Sequence, residues 1–214
     1  MFKAVTIARE YGSGGADVGR RLAELIGWSC IDKEIIERVA AMGKVDPAWA
    51  KTLDERVLAW WKRILNSFRK GGPELFIGSN DELCVDHETM QNFTARVIQE
   101  AAKVGNCIII GRSSGCLLRH DPNVLRVFVY APLSEKLARM RLRHPQEQNL
   151  EALLDRIDSE RIQYAQTYYG SDPRSRDIYH LCLNSTLGID ACAELVAHEL
   201  HSLSEAAGPV PADA

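Results

Sequence analysis

Ala4-Val5-Thr6-Ile7-Ala8-Arg9-Glu10-Tyr11-Gly12-Ser13-Gly14-Gly15-Ala16-Asp17-Val18-Gly19 passes from a short apolar run, through three glycines in four residues, straight into a helical pattern. Residues Ala4 to Ala8 read as a buried strand. From Gly15 to Ile26 the apolar residues Val18, Leu22, Leu25 and Ile26 fall on one helical face. Glycines at 12, 14 and 15 permit positive φ and let backbone N–H groups turn inward around an anion, and a helix N-terminus adds partial positive charge. Gly12, Ser13, Gly14 and Gly15 are therefore candidate phosphate-binding residues. A tight strand-to-helix turn with no ligand has the same composition. Position favours the ligand, because parallel α/β sheets bind at the C-terminal ends of their strands.

Working outward, further strands are expected at Ser29 to Ile31, Cys107 to Ile110 and Leu125 to Tyr130, with a weaker fifth at His180 to Leu183. Helical patterns lie between most of them: Lys33 to Met42, Pro47 to Phe68, His87 to Lys103, Leu133 to Arg143, Asn149 to Tyr168 and Ile189 to Leu203. Strands separated by helices long enough to cross back over a sheet predict an α/β three-layer sandwich with a mostly parallel five-stranded sheet. Residues 1–203 are expected to form one domain. A helical insertion over about 45–86, carrying Trp49, Trp60 and Trp61, and a lid region over about 139–172 would belong to it; residues 204–214 are expected to be a disordered tail.

The chain has 214 residues, enough to bury a core without disulfides or metal staples. Its net charge of −3 supplies no general field for nucleic acid or anionic membrane, so phosphate affinity has to come from local clusters. No run reaches the ~20 apolar residues of a membrane span, and the N-terminus does not read as a signal peptide. The six cysteines (Cys30, Cys84, Cys107, Cys116, Cys182, Cys192) include no C-x-x-C pair. They read as buried thiols in a reducing cytoplasm. The six histidines show neither a nucleophile-and-base motif nor metal spacing, and no metal site is expected.

Arginines supply the local charge. Arg112 follows the apolar strand Cys107 to Ile110 with only Gly111 between, which points its planar fork toward the ligand edge of the sheet. Arg139 and Arg143 share a helix face at i, i+4 spacing. On the next helix the inward stripe reads Leu150, Leu153, Leu154, Ile157, Arg161, Tyr164, Ala165 and Tyr168, so Arg161 takes a core-side position. A cation there needs a partner, either Asp158 at i−3 or a bound phosphate. The full G-x-x-x-x-G-K-[ST] signature is absent: in its register Gly15 stands at the lysine and Ala16 at the magnesium-binding hydroxyl.

R-E-Y-G-S-G-G-A-D-V-G at Arg9 to Gly19, I-D-K-E-I-I at Ile31 to Ile36, I-I-I-G-R at Ile108 to Arg112, D-x-x-D-x-x-R at Asp155 to Arg161, Y-Y-G-x-D at Tyr168 to Asp172 and L-N-S-T from Leu183 occur in order. On these motifs the sequence resembles the cytidylate kinase-like family, a branch of the P-loop nucleoside monophosphate kinases. The resemblance implies ATP, carried with Mg2+, as phosphoryl donor and a nucleoside monophosphate, CMP or dCMP first, as acceptor. It places donor phosphates on Gly12 to Gly15, the acceptor on Asp32, Arg38 and Arg112, and the migrating phosphoryl group at Arg139 and Arg161, with Asp158 orienting sugar or arginine. Three positions depart from authentic cytidylate kinases: Lys33 replaces a small hydroxyl residue, Ser113 an acid and Leu154 an arginine. The competing reading is a non-catalytic nucleotide- or phosphate-binding regulatory module on the same fold, which Gly15 and Ala16 favour.

Overall fold

The computed structural model describes residues 2–32 and 87–206. Five strands, β1 (Ala4–Arg9), β2 (Ser29–Ile31), β3 (Cys107–Ile110), β4 (Val124–Tyr130) and β5 (Leu181–Asn184), form one sheet in the order β2-β3-β1-β4-β5. Every pairing is parallel. The central strand β1 pairs from Ala4 with Cys107 on one side and Val124 on the other. The chain leaves β1 toward β2 on one flank and later crosses to β4 on the other. The C-terminal end of β1 is thus the point where strand order reverses, the usual ligand crevice of open α/β sheets.

Helices α1 (Gly15–Ile26), α2 (His87–Val104), α3 (Ser114–Leu117), α4 (Leu133–Arg143), α5 (Leu150–Tyr169) and α6 (Ile189–Ala206) cover the sheet. Period-two alternation on the strands makes two cores. Val5, Ile7, Ile108, Ile110, Leu125, Val127 and Val129 pack against Val18 and Leu22 of α1 and Cys192, Ala193 and Val196 of α6. Ala4, Ile31, Cys107, Ile109 and Val124 pack on the other face against Val97, Ile98, Ala101 and Ala102 of α2. Two helical layers around one sheet give the three-layer architecture.

Element limits differ from the expectation by one or two residues at β1, β4, β5, α2 and α5. Arg9 extends β1 because it still pairs with Val129. The short α3 has no apolar period to announce it, and α6 runs on to Ala206. Five cysteines lie among the described residues and all are free thiols. Cys107, Cys116 and Cys192 are buried, whereas Cys182 is exposed because it sits on edge strand β5. The expected helices Lys33 to Met42 and Pro47 to Phe68, Arg38, Cys84 and the insertion at about 45–86 lie outside the described residues. Among the described residues no helix is long and apolar enough to cross a membrane.

Candidate functional site

The glycine turn begins where β1 stops. Glu10 N–H still bonds Val129 O at 3.1 Å, after which Gly12 (φ 79°) and Gly14 (φ 80°) turn the chain through left-handed backbone. Gly14 is the N-cap of α1. Ser13 is fully buried; its hydroxyl donates to Glu10 O at 2.9 Å and accepts Gly15 N–H at 3.4 Å, which stiffens the turn from inside. The Gly12 and Gly14 N–H groups have no acceptor among the described residues. With the Ala16 N–H in the first turn of α1, likewise without an acceptor among the described residues, they form a set of donors suited to an anion.

Helix α4 lies across this turn. Met140, 1% exposed, and Lys136, together with Leu154 of α5, are the side chains that a Cβ at Gly12 would meet, each at 3.1 Å. Lys136 Nζ pairs with Glu10 Oε2 at 3.1 Å, and Arg143 reaches Asp17 Oδ2 at 2.5 Å. Arg139 donates to Ser13 O at 3.0 Å, Gly12 O at 3.5 Å, Ser185 Oγ at 2.9 Å and Ser185 O at 3.2 Å. The structure therefore brings Arg139 to the turn, but onto its carbonyls and not its amides. Asp17 is held by Arg20 as well as Arg143. Burial works to raise its carboxyl, yet the two arginine hydrogen bonds leave it below the usual carboxylate range.

Helix α5 contributes the other charged pair. Asp158 Oδ1 accepts the Tyr11 N–H at 2.8 Å and an Arg161 N–H at 3.1 Å, and the same Arg161 nitrogen donates to Arg9 O at 3.2 Å. The Arg161 guanidinium also lies over the Tyr11 ring, 5.3 Å from its centroid. Burial raises the Asp158 pKa and lowers that of Arg161, so each partner offsets the other's desolvation. Of the two partners open to Arg161 from sequence, Asp158 is present, and the pair sits directly against the glycine turn.

Arg112 is set by backbone geometry. Gly111, Arg112 and Ser113 have φ of 80°, 52° and 49° in succession. A non-glycine residue in that region costs ~1–2 kcal/mol, and such strain concentrates at functional sites. Arg112 faces the Tyr164 hydroxyl, which also bonds Gln91 Oε1. Gln91 in turn donates to the Tyr169 hydroxyl at 2.9 Å. Asp32 closes the end of β2.

Arg9 was not singled out from the sequence. It lies at the end of β1, and only part of its surface reaches solvent. Burial, followed by the neighbouring Arg161, pushes its guanidinium down to about 10, while Asp32 and Asp158 act in the opposite sense. Two sequence signals mark it: period two puts Arg9 on the α1 side with Val5 and Ile7, and the P-loop register puts it at the first glycine.

A family model described as the cytidylate kinase-like family matches residues 4–187. No curated protein matches the sequence. Among solved structures, an uncharacterized protein from Eubacterium ventriosum aligns over 94% of this chain and 99% of its own with a TM-score of 0.68 at 17% identity. Shikimate kinase from Acinetobacter baumannii, solved in complex with shikimate, aligns over 94% of each chain with a TM-score of 0.51 at 18% identity. The fold is that of P-loop kinases.

Proposed function

This chain belongs to the cytidylate kinase-like family, and from that premise we propose that it moves the γ-phosphoryl group of ATP to a nucleoside monophosphate, with CMP or dCMP the acceptor. The observation that carries the proposal is the meeting of Asp158 and Arg161, from α5, with the backbone of the glycine turn. Phosphoryl transfer needs cations and donors around the moving group, an in-line acceptor and exclusion of water. An acceptor phosphate oxygen attacks the γ-phosphorus, the bond to the β,γ-bridging oxygen breaks, and ADP leaves. No general base is required, because the attacking oxygen already carries charge.

In this reading the amides of Gly12 to Gly15, with Ser13 stiffening them, hold the donor phosphates. Arg112, Arg38 and Asp32 hold the acceptor, Arg161 and Arg139 steady the migrating group, and Asp158 orients Arg161 or the sugar. Arg139 reaches the phosphoryl group by exchanging its carbonyl contacts for phosphate oxygens. Magnesium would enter only as the companion of ATP. Ala16 offers no hydroxyl and Asp17 is engaged by two arginines, so the cation would be held by phosphate oxygens and water. Free thiols among the described cysteines agree with a cytoplasmic setting.

A coupled assay with ATP, magnesium and a panel of nucleoside monophosphates tests the proposal. ADP release should depend on added CMP or dCMP, and Arg161→Ala should lower kcat/KM by ~100-fold or more in a chain that circular dichroism shows to be still folded. ATP binding without acceptor-dependent ADP release would favour the nucleotide-binding regulatory module. The engagement of Arg139 by backbone carbonyls is the observation on that side.

A further inference from the structure

The lysine missing from the glycine turn leaves a question of charge, and the geometry around position 15 answers it. In the G-x-x-x-x-G-K register Gly14 is the second glycine, Gly15 the lysine, and Arg9 stands where the first glycine belongs. The two replaced positions touch. A Cβ built on Gly15 would lie 2.6 Å from Arg9 Cβ and 3.2 Å from Arg9 Cγ, so the arginine stem fills the space a side chain at 15 would need. A cation has moved from the start of the helix to the end of the strand, and a glycine has moved the other way.

The guanidinium end of Arg9 is placed at the ligand edge of the sheet. It lies against Gly111 at the end of β3, where a Cβ would come within 2.9 Å of Arg9 Cζ. Around it stand Arg161, Asp32, Asp158 and Arg20. Among the described residues no carboxylate is in ion-pair contact with Arg9, and its side chain makes no hydrogen bond; Asp158 is committed to Arg161 and Tyr11. A guanidinium withdrawn from water without a paired carboxylate is unfavourable until an anion joins it. The depressed pKa of Arg9 agrees, since it records that loss of hydration.

We propose that Arg9 is the phosphate-binding cation of this turn, taking the place of the P-loop lysine and gripping the terminal phosphoryl oxygens of a polyphosphate held on the Gly12 to Gly15 amides. Its planar fork engages two oxygens at once, which a lysine ammonium does not. The assignment rests on the glycine turn being a phosphate site, and is separable from whether transfer follows.

The test is calorimetric titration with inorganic tripolyphosphate of the wild-type chain, Arg9→Gln and Arg141→Gln. Glutamine keeps the stem that packs on Gly15, and Arg141 is an exposed residue of α4 that controls for net charge. Arg9→Gln should weaken binding by ~30-fold or more, as expected for a lost charged hydrogen-bonding partner, with Arg141→Gln within ~3-fold of wild type. Arg9→Gln within ~3-fold of wild type, or no binding by wild type, overturns the assignment. Strong binding lost in Arg9→Gln, with no turnover on any acceptor, upholds the assignment and defeats the transfer reading. A readout independent of the Gln variant is the Arg9 Nε–H resonance of the wild-type chain, assigned by its absence in Arg9→Lys. It should move on adding tripolyphosphate, and a resonance that stays still contradicts the proposal.

Discussion

The Asp158 carboxylate accepts the backbone N–H of Tyr11 at 2.8 Å, joining the middle of α5 to the glycine turn across 147 residues of sequence. Burial is the largest influence on that carboxyl and raises its pKa, and the hydrogen bond from Tyr11 and the charge of Arg161 offset it only in part. A folded-state pKa above the unfolded value means that the folded chain holds the proton more tightly. The contribution of Asp158 to stability is therefore complete at acid pH, below its unfolded pKa, and is lost as pH rises through the raised value. Asp158→Asn keeps an acceptor for Tyr11 but cannot titrate. Urea unfolding between pH 3 and 7 should show wild-type stability falling relative to Asp158→Asn as pH rises through the upper carboxylate range. A relative rise would contradict it.

Asp17 runs the other way. Its hydrogen bonds from Arg20 and Arg143 hold the carboxyl low despite burial, so its contribution is present above the unfolded value near 3.8 and disappears as pH falls through the depressed one. These partners are partly exposed, so Asp17→Asn should cost only ~0.5–1 kcal/mol at neutral pH. The difference from wild type should shrink on acidification and in high salt. Parallel urea titrations at two salt concentrations check both effects.

Gly15 is sterically committed to Arg9 and Val129, whose Cβ lies 3.1 Å from the Cβ position at 15. Gly15→Ala should destabilise by ~1–3 kcal/mol, as overpacking does in tight cores. In an Arg9→Gly background the same change should cost far less. The double-mutant cycle, read from urea midpoints, should give a coupling of ~1 kcal/mol or more, and additive costs would show that the two positions do not share space.

Ser185 pins the other side of the turn. Its hydroxyl donates to Ser13 O at 2.5 Å while accepting an Arg139 N–H at 2.9 Å, and its residue is 1% exposed. Ser185→Ala leaves the Arg139 donor short of an acceptor and should cost ~1–2 kcal/mol in thermal or urea unfolding. Arg139→Ala and Ser185→Ala should be non-additive because they act on one network.

Most of the architecture was legible because its elements follow simple periods. Val18 and Leu22 lie on one helical face, and the run Cys107 to Ile110 is buried on both faces as a central parallel strand requires. The glycine turn was legible as a strand-to-helix turn because three glycines in four residues stand between an apolar run and a helical period. Arg9 escaped because a charged residue closing a strand reads as an edge residue. Its significance arises only when the sheet sets Arg9 Cβ against Gly15 and the guanidinium against Gly111. Arg139 was placed near the phosphates by resemblance, but its carbonyl contacts depend on Ser185, 46 residues away, and local spacing carries no trace of that meeting.

Phosphoryl transfer requires donor and acceptor phosphates to meet in one cleft, and calorimetry with a bisubstrate analogue, adenosine and cytidine joined by five phosphates, measures that meeting. The analogue should bind at least ~100-fold more tightly than ATP or CMP alone, because its second half binds without a second loss of translational freedom. Affinity no greater than that of ATP alone would show that the two sites do not face each other, and would contradict phosphoryl transfer as the work of this fold.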